Sequence, residues 1–376
     1  MKKYLFISMI LLAFNANAGL EALSVSYTSE NFNTLCLEND QWKNCSQGVD
    51  VTPAEYTTLY HNPLTGESTA IGYIDNDDLR TFTVVCRSEN YNDWQNCTPD
   101  AAVIPLGHYS KDSASDGQGR IMLTGRDDND NLIAACRNTN GEWWNCSPSS
   151  QFMDYQFPSV VNFTNNEWVV LFSTGYAEYP YEIMHALCMN ETNTWRSCDM
   201  AVYDPNRDTF GDSYDHIEYV SASDEWVAVG HGYLEGYDDL YAKSLCRSSG
   251  SSVWYYCASD VYPSNGIQAL IQNAQGELLQ INLVRSGIFL TVQMLCKNPN
   301  SAWTDCSLGL TQNNQIYTSG TLDEAGNWVL VGSHLSNDMS ENLAYLTAKF
   351  NGNGWDVLSQ EPDDPTSSFF DVVLTH

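Results

Sequence analysis

The feature that most constrains this chain is a repeated cysteine–tryptophan–cysteine segment. In every copy the tryptophan stands three residues before the second cysteine, and the first cysteine recurs about every fifty residues. A fixed period of this length is typical of proteins built from repeated structural units. The six copies are Cys36–Trp42–Cys45, Cys86–Trp94–Cys97, Cys136–Trp143–Cys146, Cys188–Trp195–Cys198, Cys246–Trp254–Cys257 and Cys296–Trp303–Cys306.

A seventh copy lacks the cysteines but keeps the tryptophan, Trp355, within residues 343–358. Each copy shows four short strand-like runs separated by turn residues, which we name A to D from the inside outwards. In the fourth copy these runs are Ser159–Phe163, Trp168–Ser173, Ile183–Cys188 and Trp195–Cys198. Seven four-stranded copies predict an all-β protein, a seven-bladed β-propeller.

The cysteines predict a disulfide across the C–D hairpin of six blades, each stabilising the fold by about 2–3 kcal/mol. Zinc is the competing interpretation. It is disfavoured because no CxxC pair occurs and no histidine lies inside any of the loops between paired cysteines. The hairpin tryptophan is expected to pack between adjacent blades.

The two ends of the chain predict how the ring closes. The first copy begins at strand B, over residues 20–27, and has no strand A before it. The last copy is followed by an extra strand-like run at residues 368–376. Pairing of this C-terminal run with the N-terminal three would complete blade 1 and remove a free sheet edge.

Residues 1–18 predict a signal peptide, with Lys2 and Lys3, an apolar run and the small-residue site Ala16-Asn17-Ala18. Residues 19–376 are then a single propeller domain. An even number of cysteines favours an oxidising compartment. We therefore expect a monomeric protein that is secreted or periplasmic in a Gram-negative bacterium, with no segment inserted in the membrane.

The formal charge of −31 disfavours nucleic acid and anionic membranes as partners. Basic residues nevertheless recur at one place in the repeat, directly after the first cysteine. We interpret them as structural partners of acidic residues in the blades, near the C–D turns. They are Arg87, Arg137, Arg247 and Lys297.

The ends of the B strands carry large polar, aromatic or cationic residues in all seven copies. Two of the nine arginines and two of the seven histidines fall in this set. If these positions are equivalent, they form a ring at the face that opens onto the central channel. The ring consists of Tyr27, Tyr73, Arg126, Tyr176, His231, Arg285 and His334, and the starts of the A strands add Tyr56, His108 or Tyr109, His216 and Tyr317.

These residue types suit β-elimination on a uronate-containing glycan. Arg126 or Arg285 would bind the carboxylate, with Tyr27, His216 and Tyr317 as further substrate contacts. His231 or His334 would remove the proton next to the carboxylate, and Tyr73 or Tyr176 would protonate the leaving oxygen. The predicted ligand is an anionic glycan.

Other functions stay open at this point. Hydrolysis would need two carboxylates, and candidates such as Asp75, Asp127, Asp154, Asp215 and Asp371 are too numerous to discriminate. A lectin or a periplasmic protein-interaction scaffold would need no catalytic group. No cofactor and no catalytic metal are predicted. Structural Ca²⁺ in the acidic B–C loops is an alternative to solvated turns.

The hairpin tryptophan resembles that of sialidase-like propellers, although their Asp-box, Ser-x-Asp-x-Gly-x-Thr-Trp, is absent. The residue types of the ring resemble those of propeller polysaccharide lyases. Both resemblances imply a propeller fold and a glycan ligand, and neither rests on a matched motif.

Overall fold

Strand-forming runs alternate with turn residues, so that neighbouring runs pair as antiparallel hairpins. The computed structural model describes residues 19–26, 32–45, 54–76, 79–88, 93–100, 103–104, 107–129, 131–149, 158–174, 183–198, 213–233, 240–249, 251, 254–257, 262–263, 266–286, 289–308, 310, 314–336, 341–362 and 367–375. The predicted signal peptide lies outside the described residues. Within them, no helix is long and apolar enough to cross a membrane.

Seven four-stranded antiparallel sheets form the blades, which confirms the predicted fold class. The A strands of blades 1 to 7 are Ser367–Thr375 (β29), Glu55–Asn62 (β4), His108–Ser115 (β8), Pro158–Thr164 (β12), Ser213–Val220 (β16), Gly266–Gln272 (β21) and Gln315–Leu322 (β25). The B strands are Gly19–Ser26 (β1), Glu67–Asn76 (β5), Ile121–Arg126 (β9), Glu167–Thr174 (β13), Glu225–Tyr233 (β17), Leu278–Ser286 (β22) and Trp328–Leu335 (β26).

The D strands, at the outer edge of each blade, are shorter on average than the other three strands. The C strands are Phe32–Glu38 (β2), Leu79–Arg87 (β6), Leu132–Arg137 (β10), Ile183–Met189 (β14), Leu240–Ser248 (β18), Phe289–Lys297 (β23) and Asn342–Phe350 (β27). The D strands are Gln41–Asn44 (β3), Gln95–Asn96 (β7), Trp143–Asn145 (β11), Trp195–Ser197 (β15), Tyr255–Tyr256 (β19), Thr304–Asp305 (β24) and Trp355–Gln360 (β28). A short extra strand, Tyr262–Pro263 (β20), pairs with β18.

The A strands contact one another in sequence around the ring, from blade 1 to blade 7 and back to blade 1. We call the face where the A strands begin and the B strands end the upper face, and the opposite face, with the A–B and C–D turns, the lower face. In blade 4 the predicted A–B turn is present, with Asn165 and Asn166 both at positive φ.

Blade 1 is closed by the C-terminal strand, as predicted. Strand β29 pairs antiparallel with β1 from Gly19↔Thr375 to Ser26↔Ser367. Asp371 of this strand also accepts hydrogen bonds from the Leu59 amide of blade 2 (2.8 Å) and the Ser319 hydroxyl of blade 7 (2.6 Å). One side chain therefore joins the closing strand to both neighbouring blades.

Six disulfides join the predicted cysteine pairs, with Cα atoms 5.5–5.8 Å apart. The bonded residues are not directly opposed, which refines the sequence-based expectation. Cys136 faces Trp144 in the register, and the Cys146 amide bonds to the Ala134 carbonyl. The bridge thus joins a diagonal pair on one face of the hairpin. Six disulfides indicate an extracellular or periplasmic protein.

The seams, by which we mean the interfaces between adjacent blades, contain the hairpin tryptophans, and this confirms their predicted role. Trp94, Trp254 and Trp303 are each only 1% exposed. Indole N–H groups donate across the seams to the preceding blade. Trp195 donates to the Cys146 carbonyl (2.6 Å) and Trp355 to the Cys306 carbonyl (3.0 Å). Each such tryptophan satisfies its polar atom while burying its ring.

Ion pairs across the seams join three of the basic residues after the first cysteines to acidic residues, as predicted. Arg87 pairs with Glu21 (2.6 Å), Arg137 with Glu67, and Lys297 with Glu225 (2.7 Å). Each acid lies on strand B of the preceding blade. Arg87 and Arg247 also lie over the rings of Trp94 and Trp254, at 5.2 and 5.3 Å from the ring centroids.

Removal of residues 366–376 should destabilise the whole ring, because it leaves β1 as a free edge and deletes the Asp371 hydrogen bonds. Thermal unfolding followed by circular dichroism should show a lower Tm and a broader transition. Asp371→Asn should cause a smaller loss, and Asp356→Asn, at an exposed site on strand D of blade 7, should cause none. An unchanged transition in the truncated protein would disprove closure by this strand.

Arg87→Met should lower the free energy of unfolding by about 3–5 kcal/mol, because it leaves the fully buried Glu21 carboxylate without its counter-charge. The matched control is Lys43→Met, which breaks the exposed Lys43–Glu38 pair and should cost about 0–1 kcal/mol. Urea titrations at neutral pH compare the two variants. Equal, small effects would show that the buried pair has no structural role.

Candidate functional site

Every A strand carries a β-bulge near its upper end. In all seven A–B pairs the register shifts by at least one residue at the same level, for example between Tyr56 and Thr58 in blade 2. Bulges redirect side chains and are common beside functional sites. The seven bulges therefore lie at the same height along their strands, around the upper end of the channel.

A tyrosine–glycine pair lies at this level in four blades. The pairs are Tyr56↔Gly72, Tyr109↔Gly125, Tyr214↔Gly230 and Tyr317↔Gly332. A Cβ added at Gly72 would lie 2.8 Å from the Tyr56 ring, and one at Gly332 would lie 1.9 Å from the Ile316 carbonyl oxygen. Only glycine fits so close to the neighbouring strand.

The tyrosines of this pair are structural in the blades where their side chains are described. Tyr56, Tyr109 and Tyr317 are at most 2% exposed. Burial raises the pKa of Tyr56 to about 12 and raises the pKa values of Tyr109 and Tyr317 as well. Tyr317 therefore packs in the core between blades 6 and 7, where its side chain is not accessible for the predicted substrate contact.

The strand registers show that the predicted ring does not occupy one equivalent position, so that part of the prediction is wrong. Tyr73, Arg126 and His231 do share a position, directly after the paired glycine. In blade 7 this position belongs to Ser333, and His334 comes one residue later. In blade 6 it belongs to Leu283, and Arg285 comes two residues later.

Tyr73 is a core residue. It is 2% exposed and packs between blades 2 and 3, in a cluster with Phe82 and Tyr109. Its burial removes it from the predicted role of proton donor. Tyr27 and Tyr176 lie outside the described residues, and for His231 and Arg285 the structure describes the strand position alone.

Arg126 and His108 are cross-strand partners at the upper end of blade 3, and both are partly exposed. The sequence offered His108 or Tyr109 as the residue facing the channel at the start of this strand. The structure favours His108, which is accessible, whereas Tyr109 is buried. His334, also partly exposed, faces Gln315 in the register. These three side chains keep the accessibility that ligand binding requires.

His216 lies one step below the bulge on strand A of blade 5, opposite Val229. Asp371 of blade 1, Thr58 of blade 2 and Ser319 of blade 7 occupy the same level on their own A strands. A layer of polar residues therefore follows the inner strands beneath the upper face. Burial raises the pKa of Asp371 to about 6, against the hydrogen bonds from Leu59, Ser319 and Val372.

A second inner carboxyl group, Glu218, lies between blades 4 and 5. The Thr164 hydroxyl bonds to its carboxyl group and also accepts a hydrogen bond from the Tyr219 amide (2.9 Å). Asn162 donates to the Ile217 carbonyl (2.5 Å). Side chains of blade 4 thus satisfy the unpaired inner edge of the A strand of blade 5. Burial raises the pKa of Glu218 to about 7.

Hydroxyl groups make the corresponding contact between blades 2 and 3. The Tyr60 hydroxyl lies 2.8 Å from the Ser113 hydroxyl, and Ser113 donates to the Thr58 hydroxyl at 3.3 Å. The sequence predicted neither these contacts nor the burial of the two carboxyl groups. Asp371 was among many candidate carboxylates, and Glu218 was not singled out. Their neighbours come from other blades, so no local pattern marks them.

Among the described residues, one group of three potential metal ligands lies close together. It consists of Glu21, Cys36 and Cys45, and these two cysteines are joined in a disulfide. In the predicted acidic loop of blade 3, Asp127 accepts hydrogen bonds from the Asn129 and Asn131 amides (2.8 and 2.9 Å). Its carboxylate organises the turn, which favours the solvated-turn interpretation.

No protein-family model matches this sequence, and neither does any curated protein. Solved structures do match it. The periplasmic gluconolactonase PpgL of Pseudomonas aeruginosa is 10% identical, with 95% of this chain and 99% of that one covered and a TM-score of 0.56. An ulvan lyase of polysaccharide lyase family PL25 is 9% identical, with 92% and 90% covered and a TM-score of 0.54.

A third match is a hypothetical selenium-binding protein from Sulfolobus tokodaii, 8% identical, with 95% and 94% covered and a TM-score of 0.55. The comparisons show a propeller fold. At these identities they show the fold alone, because unrelated functions use the same architecture.

The protein should lose stability as the pH rises through the range in which Glu218 ionises. Its pKa is about 7 in the folded state against an ordinary value of 4.5, so the folded state binds more protons than the unfolded chain between these values. The stabilisation that protonated Glu218 contributes is complete below pH 4.5 and is lost as the pH rises towards 7.

Glu218→Gln should therefore gain stability relative to the native protein as the pH rises over this interval. Urea titrations at several pH values measure the difference. Glu324→Gln, on an exposed A–B turn, is the control and should run parallel to the native protein. A pH-independent difference between Glu218→Gln and the native protein would contradict the raised pKa.

Proposed function

We propose that this protein is an exported, monomeric lyase that cleaves a uronate-containing glycan by β-elimination at the upper face. The observation that carries the proposal is the Arg126–His108 pair, in which two partly exposed nitrogen-bearing side chains adjoin at the upper end of one blade. In a chain with a charge of −31, such a pair is a distinctive place for an anionic group to bind.

Arg126 can hold a carboxylate through two parallel hydrogen bonds, which neutralises its charge. Neutralisation acidifies the neighbouring C–H bond of a uronate, because the negative charge that develops there is delocalised into the carboxyl group. The His108 imidazole can donate a further hydrogen bond next to Arg126. Binding and activation of the substrate therefore use the same contact.

His231 is the candidate base because it shares the register position of Arg126, two blades away. In the reaction the imidazole takes the proton from C5 of the uronate. The C–H electron pair forms the C4=C5 double bond, and the C4–O bond to the neighbouring sugar breaks. The departing oxygen takes up a proton, and no water is consumed. Tyr176 stays the candidate donor, since Tyr73 is buried.

The alternative is a glycan-binding protein without catalysis. PpgL and the ulvan lyase share this fold and are named for carbohydrate-related activities, which supports a carbohydrate ligand in general and decides nothing about chemistry. The upper face differs from blade to blade at the position after the paired glycine. Repeated identical sites would carry the same residue at this position in each blade. The observed variation therefore favours a single site assembled from several blades.

Incubation with polymers of galacturonate, mannuronate and glucuronate should yield an unsaturated uronate end from at least one polymer, detected by ultraviolet absorbance. His231→Ala should lower kcat by about 10²-fold or more, and Arg126→Ala should lower kcat/KM. The controls are His61→Ala and Arg120→Ala, at the lower end of their blades, and should leave both constants unchanged.

Saturable binding of a uronate polymer without any unsaturated product would disprove the lyase and leave a lectin. Absence of both binding and product for every polymer would disprove an anionic glycan as the ligand.

A further inference from the structure

A pocket of about 430 Å³ opens on the lower face, at the seam between blades 5 and 6. It lies at the opposite end of the blades from Arg126 and His108. Ser223 of an A–B turn, Ser248 at the end of strand C of blade 5, and Asn300 and Ser301 of a C–D turn line its rim, and the D strand of blade 5 forms one wall. Its size is within the range of small-molecule sites.

The basic residue at this seam differs from the one at other seams. Directly after the first cysteine, blades 2, 3 and 5 carry arginine, and blade 6 carries Lys297. In blades 2 and 5 the guanidinium lies over the hairpin tryptophan. Lysine keeps the ion pair to the preceding blade, here with Glu225 at 2.7 Å, but its side chain ends in a single nitrogen. Lys297 thus lines the pocket as a charge that is already paired with Glu225.

The charges that border the pocket compensate each other. The Glu225 carboxylate accepts hydrogen bonds from Lys297 (2.7 Å) and from the Tyr255 hydroxyl (2.5 Å). The side chains of Lys297 and Glu225 are only 2% and 9% exposed. A charged ligand would find no unpaired counter-charge in these two groups, so the pocket favours a neutral one.

Tyr255 supplies an accessible aromatic surface. The residue is 45% exposed although its hydroxyl is held by Glu225, so the bond fixes the ring while part of it meets solvent. Aromatic rings pack against the C–H groups of sugars, and hydroxyl and amide groups around the ring bind sugar hydroxyls. Ser223, Ser248, Asn300 and Ser301 provide such groups.

We propose that this pocket binds a neutral monosaccharide unit, stacked on Tyr255 and hydrogen-bonded by the serine and asparagine side chains of the rim. The site is independent of the proposed lyase activity, because it shares no residue with the upper face. In a glycan-degrading protein it would hold a chain end away from the reacting bond, and in a lectin it would be a binding site in its own right.

Isothermal titration with free neutral hexoses and deoxyhexoses, and with the matching uronic acids, tests the proposal. We expect at least one neutral sugar to bind with one site per chain. Tyr255→Ala should weaken this binding by about tenfold or more. Thr304→Ala, at the equivalent place on strand D of blade 6, should bind as the native protein does.

Ser301→Trp is the discriminating variant. Ser301 is an exposed residue at the edge of the pocket, so the fold and its Tm should be preserved. The large indole should obstruct the pocket and abolish sugar binding. Retained binding in Ser301→Trp, binding of uronic acids alone, or no binding of any neutral sugar would each overturn the proposal. Arg126→Ala should leave this binding unchanged whatever it does to the lyase reaction.

Discussion

The architecture depends on the pairing of the C-terminal strand with the N-terminal one. Gly19–Ser26 and Ser367–Thr375 are far apart in the chain, yet they form the two inner strands of one blade. Asp371 extends this contact to blades 2 and 7 through Leu59 and Ser319. Every blade packs against its two neighbours, so the ring is complete only when blade 1 is complete. The closed ring in turn sets the position of every inner strand.

The seams repeat one physical solution with local variations. Among the described residues, four hairpin tryptophans donate their N–H groups to the preceding blade. Three basic residues pair with a glutamate of that blade. Blade 7 has no disulfide, and its seam with blade 1 uses a different contact. Gln360 bonds to both the amide and the carbonyl of Trp42, at 2.7 and 2.8 Å. The side-chain amide thus acts as an additional peptide group across the seam.

The candidate site was predictable in residue type but not in arrangement. Arg126 and His231 stand out because cationic residues are scarce in this sequence, and the structure gives them one register position. Tyr73 has the same position but is buried, because the side chains packed around it come from blade 3 as well as from its own blade. Exposure depends on the neighbouring blade, and a pattern read along one strand contains no information about that neighbour.

The sequence by itself determined the number of blades, the six disulfides, the closing strand and the structural role of the hairpin tryptophans, because these follow from spacing along the chain. The tertiary structure alone decided the level of the bulges, the one-residue offset of His334 and the raised pKa values of Glu218 and Asp371. A bulge changes the register by one residue and so changes the face on which every later side chain lies. The pKa of a carboxyl group depends on how deeply other blades bury it, and those blades are distant in sequence.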